Sequence, residues 1–307
     1  MQLDGFVFFL LAIAIGYAFC KLKLIPLSAA DVLPSVLLNV FFPAMLLNTF
    51  ANADMNELLS AGLPAVVCTL IFSLLPFFAC FFLLKKADPD KKALLRYIAG
   101  VGNTSFVCIP LMSLFLSDSQ MLLVFVHGAV MDFLIWGVHH QIFVGSGERN
   151  LRLILKKIFA SPCLIAVVLG IVLSACKIEL PDFLQYTLSA LEAAVSPLAL
   201  VFIGVLIARY GIFAWRKSRT AIFYSLWKVL LLPVIVFASL YFVLPLETVL
   251  ILAFLFGSPA PVSAVLWCKE YGKDVKLSVD CLIPSTLLYF TVMGSALAAL
   301  NYFGILG

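Results

Sequence analysis

Charge is what this sequence has least of. Of its 307 residues only 12% are Asp, Glu, Lys or Arg, against 64% hydrophobic, where a soluble domain carries about a quarter charged and about half apolar. No soluble fold could bury that much apolar surface. Enzyme signatures are also missing: there is no G-x-S-x-G, no P-loop and no H-E-x-x-H. ATP-driven chemistry would therefore need a partner chain. The eight cysteines form no C-x-x-C pair and have no histidine at metal spacing. They read as small apolar packing residues, so no metal and no cofactor is expected. Long polar stretches are absent too. The longest hydrophilic segment is Gly145 to Lys157, which leaves no room for a separate soluble domain and gives no sign of a nucleic-acid partner.

What is present is a series of long apolar windows. Residues 5–20, 61–84, 120–144, 158–175 and 220–244 are nearly free of charge and close to the roughly 20 residues that cross a bilayer. Five more, 29–50, 94–116, 183–208, 248–268 and 281–303, are less clean but qualify. The first window lacks a basic flank before it and an A-x-A-like cleavage site after it, so it reads as a retained span, not a signal peptide. The expected fold is an all-α integral membrane protein of ten spans in the lipid bilayer.

Taken alternately, the connections on one side hold 18 of the 20 Lys and Arg, and those on the other side hold only Lys177. Basic residues resist translocation. The basic connections, including 145–157, are therefore expected in the cytoplasm, with both termini outside.

That mid-chain segment divides the sequence into halves of five spans, 1–144 and 158–307, which match weakly. Cys20-Lys21-Leu22-Lys23-Leu24-Ile25-Pro26 recurs as Cys176-Lys177-Ile178-Glu179-Leu180-Pro181. Phe42-Pro43-Ala44 recurs as Ser196-Pro197-Leu198, which marks kinks in spans 2 and 7, and Pro110 has a counterpart in Pro261. An odd number of spans per half makes the second copy inverted, as in many transporter folds.

Spans 4 and 9 hold equivalent places and each contains helix-disfavouring residues. Span 4 has Gly100-Val101-Gly102-Asn103-Thr104-Ser105 running to Pro110, and span 9 has Gly257-Ser258-Pro259-Ala260-Pro261-Val262-Ser263. A proline inside a helix removes one donor and clashes with a carbonyl one turn earlier, at about 3 kcal/mol. Freed backbone groups in hydrocarbon are tolerated only against protein or a wet cavity. Half-helix N-termini favour an anion, and loose carbonyls take a cation or a donor. The two matched clusters are thus a candidate solute site, against the plainer reading of packing kinks.

Three stretches carry a resemblance to the auxin efflux carrier family. They are Asn39-Val40-Phe41-Phe42-Pro43-Ala44-Met45-Leu46-Leu47, Gly102-Asn103-Thr104-Ser105-Phe106-Val107-Cys108-Ile109-Pro110-Leu111, and Pro261-Val262-Ser263 through Lys269-Glu270-Tyr271-Gly272. The resemblance implies two inverted five-helix repeats whose spans 4 and 9 cross at their prolines, similar to bile acid:sodium symporters. It implies a scaffold of spans 1, 2, 6 and 7, a moving part of spans 3–5 and 8–10, elevator-like alternation, and usually a homodimer in a bacterial inner membrane. It also implies that Asn103 and Asn39 contact an organic acid, with Thr104, Ser105, Ser258 and Ser263 lining the site. Gly102, Gly257, Pro110, Pro259 and Pro261 would form the crossing. Where relatives often carry Gly-x-Pro, this chain has Cys108-Ile109-Pro110, which would reshape the pocket.

Ionisable residues inside spans are costly and suggest function. Asp132 and His127 in span 5 are candidates for coupling a proton or sodium ion, although a spacing of five puts them on different helix faces. Lys228 in span 8 is a candidate counter-charge to Asp132 or to a substrate carboxylate, or it snorkels to the cytoplasm. Glu192, Asn48, His139 and His140 read as interfacial and solvated. Two alternatives to a carrier stand beside it: a membrane ligand sensor, and a sodium/proton antiporter of the same plan. The antiporter would want carboxylates that residues 100–111 and 257–267 lack.

Overall fold

The computed structural model describes residues 2–144 and 150–304. Residues 145–149, which begin the mid-chain polar loop and include Arg149 of the charge count, lie outside the described residues. Backbone that must satisfy its own hydrogen bonds in an apolar medium coils. Among the described residues there is accordingly helix and no strand.

In chain order the helices are α1 (Gln2–Lys21), α2 (Ala29–Val36), α3 (Phe42–Asn52), α4 (Met55–Leu83), α5 (Pro89–Gly100), α6 (Ile109–Met112), α7 (Asp118–Leu134) and α8 (Leu151–Phe159). They continue with α9 (Pro162–Ala175), α10 (Asp182–Tyr210), α11 (Arg219–Leu226), α12 (Leu232–Leu240), α13 (Leu246–Phe256), α14 (Val262–Glu270) and α15 (Val275–Tyr302). Six stretches are long and apolar enough to cross a membrane: 29–52, 55–83, 118–142, 182–210, 219–240 and 275–300. Two bent pairs, 91–100 with 104–112 at 51° and 151–159 with 162–175 at 58°, raise this to eight. The windows at 5–20 and 248–268 correspond to shorter apolar helices, Val7–Lys21 and Leu246–Phe256.

Proline is handled by a repeated local device. In three places the residue just before a proline donates its N–H five residues back: Phe42 to Leu37, Ile109 to Thr104, and Leu232 to Trp227. Each such π turn widens the helix ahead of Pro43, Pro110 and Pro233 and relieves the ring's clash with the preceding turn. Pro110 therefore sits inside a buried helical segment, and the break within the Gly100-to-Pro110 cluster falls ahead of it, at residues 101–103. Pro197 likewise lies within the single helix α10.

Two packing groups follow from small residues. The helix α1 lies along α10 so closely that a Cβ on Gly16 would stand 2.1 Å from the Val201 carbonyl oxygen, and one on Gly204 2.1 Å from that of Ile13. Similarly α9 lies along α3, where a Cβ on Gly170 would meet the Phe50 Cβ at 2.6 Å. The ends of α1 and α9 are the same turn. Lys23 and Lys177 both adopt left-handed backbone, with φ of 61° and 54°. The Lys23 N–H reaches back to Cys20 O and that of Leu24 to Phe19 O, just as Lys177 reaches Ser174 and Ile178 reaches Leu173. This is the paired bonding of a Schellman helix end, built here on lysine where glycine is usual.

The second group packs α4 against α5 and α7, α12 against α13, and α15 against α11 and α14. The groups meet where Phe106, in the π turn before α6, stands between Phe42 and Phe202 at 5.8 and 5.1 Å. Between the halves, α8 exposes Leu151, Leu153, Leu155 and Phe159 and carries Arg152, Lys156 and Lys157. Lys157 sits over the Trp136 ring.

Candidate functional site

The two interrupted segments touch. The helix α5 stops at Gly100 and helical turns resume at Thr104, while α13 stops at Phe256 and α14 begins at Val262. The Asn103 N–H donates to Pro259 O at 2.9 Å. Gly102 lies against Ser258 so tightly that a Cβ there would stand 1.7 Å from Oγ. Tyr97 and Ser263 add a hydroxyl contact of 2.6 Å between the same two segments.

The N–H groups freed at residues 257–261 each find a partner. Because Pro259 and Pro261 have no N–H, residues 257–261 present three donors. Gly257 bonds Ala253 O, Ser258 bonds Leu255 O, and Ala260 bonds the Ser285 hydroxyl. On the acceptor side the Tyr289 hydroxyl caps Phe254 O at 3.1 Å, and Cys108 Sγ bonds that hydroxyl in turn. At the end of α5 the Tyr224 hydroxyl caps Ile98 O at 3.2 Å, and Lys228 Nζ lies 3.5 Å from Ala99 O. Tyr97, Tyr224, Tyr289 and Ser285 were not singled out in the sequence. Only the Tyr224/Lys228 spacing of four, which puts both on one helix face, could have signalled a shared task.

Asn103 is the exception in this accounting. It is 3% exposed, and its side-chain Nδ2 has no hydrogen-bond partner. Thr104, Ser258, Pro110, Pro259, Pro261 and Gly257 are also buried, and Ser105, Ser263 and Gly102 are half-buried. Asn39 is elsewhere. It is exposed on the π turn of residues 37–41 and donates to Ser35 O at 2.7 Å, so the structure does not bring it to the crossing.

His127 joins the crossing to α4. The Thr69 hydroxyl donates to Ala65 O, so it must accept from Nδ1–H of His127 at 2.8 Å. A neutral ring then leaves Nε2 as an acceptor facing Thr104 Oγ1 at 3.4 Å. Asp132 is not part of this chain. It lines a small cavity of about 20 Å³ with Ser105, Ile109 and Phe125, a volume that suits a single water.

Ile109 and Phe125 also line a much larger cavity of about 560 Å³. It lies at the end of the molecule where α3 joins α4 and where α6 approaches α7. Asp54, Glu57, Asp118 and Glu192 line it together with Asn48, Asn52 and Gln185, and no Lys, Arg or His does. Neither of these two cavities is lined by Asn103.

Four expectations need correction. Lys228 does not snorkel: it is 2% exposed and makes no ion pair with Asp132 or any other described carboxylate. Glu192 is half-buried and accepts from Asn48 Nδ2 at 2.5 Å, not simply solvated. Asn48 is buried and also bonds Ser189 and Gln185. His139 and His140 are buried as well, His139 on Ser73 at 2.8 Å and His140 on Tyr271 at 3.1 Å beside Trp136 and Trp267. The hydrogen-bond partners are all distant in sequence, which is why the isolated residues look bland.

No group of three or more metal-ligating side chains occurs among the described residues. Comparison with curated proteins finds no match. Residues 4–294 match the family described as membrane transport protein, and with that coverage the chain belongs to this family, that of the auxin efflux carriers.

Proposed function

We propose that this membrane transporter is a secondary carrier of a small organic anion, a carboxylate or auxin-like acid, bound where the two interrupted segments cross. The observation that carries the reading is the buried, unpartnered amide of Asn103 at the contact between the two breaks. Residues 100–111 and 257–267 contribute no Asp or Glu. A donor without an acceptor in a dry site complements an anion.

Elevator-type movement is the mechanism we favour, with ten spans as two inverted repeats and the crossing near the bilayer midplane. The matched turns at Lys23 and Lys177 support the repeat. So do the glycine contacts, which place the first helix of each half on the second span of the other. Backbone-to-backbone packing of α1 on α10 and α9 on α3 suits a fixed scaffold of spans 1, 2, 6 and 7. The second group, spans 3–5 and 8–10, meets it largely through side chains such as Phe106. In this reading the protein works as a homodimer in the cell membrane with both termini outside, and the 560 Å³ cavity is an outward-facing vestibule. Asp132 and Ser105 below it, or His127 through the Nε2 that faces Thr104, are where a coupled proton or sodium ion would act.

The test is uptake into proteoliposomes of a panel of labelled mono- and dicarboxylates at varied pH and sodium. At least one acid should accumulate, and Asn103→Ala should cut the rate by about tenfold or more, as expected for a charge-assisted hydrogen bond of about 1.5–3 kcal/mol. If no carboxylate accumulates under any gradient and Asn103→Ala changes nothing measurable, the carrier reading falls. Binding without transport would favour a ligand sensor.

A further inference from the structure

We propose that the Lys228 ammonium is the counter-charge to the solute at the crossing, so that the site takes one carboxylate and prefers a monocarboxylate to a dicarboxylate. The assignment rests on the crossing being the solute site, and it adds the residue and the substrate class.

The positions of Tyr224 and Lys228 define what each can do. Four residues apart on one face of the span that contains α11 and α12, they reach the last two carbonyls of the broken helix α5 before Gly100. Tyr224 makes an ordinary bond of 3.2 Å to Ile98 O. Lys228 Nζ only reaches the edge of hydrogen-bonding range, 3.5 Å from Ala99 O. Among the described residues its ammonium has this one weak acceptor, and the residue is 98% buried.

The C-terminal end of α5 supplies about half a negative charge, which leaves a buried ammonium under-compensated. No described carboxylate is within ion-pair distance of it. Asp132 lines the separate small cavity, and the broken segments contain no acid.

A second, independent donor lies at the same break. Ala99 is four residues before Asn103, whose Nδ2 is unpartnered, and Cys108 N–H bonds Asn103 O. One carboxylate would take the ammonium with one oxygen and the amide with the other. A dicarboxylate would bring a second negative charge for which the described crossing residues offer no second cation.

The test uses the purified full chain in detergent and equilibrium binding of labelled benzoate and lactate against succinate and malate. A monocarboxylate should bind the wild type at least about tenfold more tightly than either diacid. Lys228→Gln should weaken that binding by at least about tenfold, the scale of removing one partner of a buried charge pair. Its melting temperature should stay near that of the wild type, and Lys228→Arg should stay within about threefold in affinity. A wild-type preference for diacids overturns the assignment, as does unchanged binding by folded Lys228→Gln. Should Lys228→Gln not fold, Lys228→Arg decides: affinity within threefold supports the assignment, and a tenfold loss in the folded protein overturns it. The two readings fail separately. Lys228-dependent binding with no proteoliposome uptake keeps the counter-charge and removes the carrier, whereas uptake indifferent to Lys228 does the reverse. Absence of binding by every acid removes both.

Discussion

The crossing and the large cavity are built from opposite chemistry. At the crossing, Asn103 and Lys228 are donors short of acceptors, and the broken segments hold no carboxylate. In the cavity, four carboxylates and several amides are gathered without a single base. If the crossing is the solute site, concentration and recognition are separate tasks in this molecule. A negative vestibule lowers the local concentration of anions by a field that salt screens. In the proposed reading, a dry donor site would bind them through contacts that salt barely reaches.

The comparison breaks most sharply at Gly102. Replacing it with Ala would force a Cβ into Ser258, so Gly102→Ala should abolish uptake. It should also destabilise the protein by about 1–3 kcal/mol, the usual range for overpacking, read as a lower melting temperature. Combining it with Ser258→Gly, which removes both atoms nearest the new Cβ, should recover most of the stability.

A smaller effect would sharpen the electrostatic half. Neutralising the vestibule with Asp54→Asn, Glu57→Gln, Asp118→Asn and Glu192→Gln together should lower the half-saturating concentration of an external anion severalfold at low salt. Near 1 M salt, where screening acts over about 3 Å, the difference should vanish. Persistence of the difference at high salt would show that the carboxylates touch the solute. The mildest change is Tyr224→Phe, which leaves Ile98 O without its cap and should cost about 1 kcal/mol of stability, with solute affinity unchanged.

Much of the architecture was legible because it depends on local chemistry. Two prolines and a glycine in five residues announce the break at 257–261. Gly100, Gly102 and Asn103 announce the other. The site was less legible, for two reasons. First, a π turn adds one residue to a helical turn, so a periodicity read at 3.6 residues per turn slips phase on passing Pro43, Pro110 or Pro233. Asn39 lies inside one such turn and faces outward, while Asn48, beyond it, faces the cavity. Second, partners of buried polar groups are remote. Asn48 and Glu192 are 144 residues apart, and Lys228 and Ala99 are 129 apart. A sequence displays such residues singly, where snorkelling or solvation is the natural reading.

The short helix α8 gives the connection between the halves a character of its own. With Leu151, Leu153, Leu155 and Phe159 exposed beside Arg152, Lys156 and Lys157, and a 58° bend before α9, it has the make-up of a helix lying flat at a membrane surface. Such a float is sensitive to headgroup charge and lateral crowding more than to bilayer thickness. In that position, headgroup charge on one leaflet would bear on the connection between the two halves.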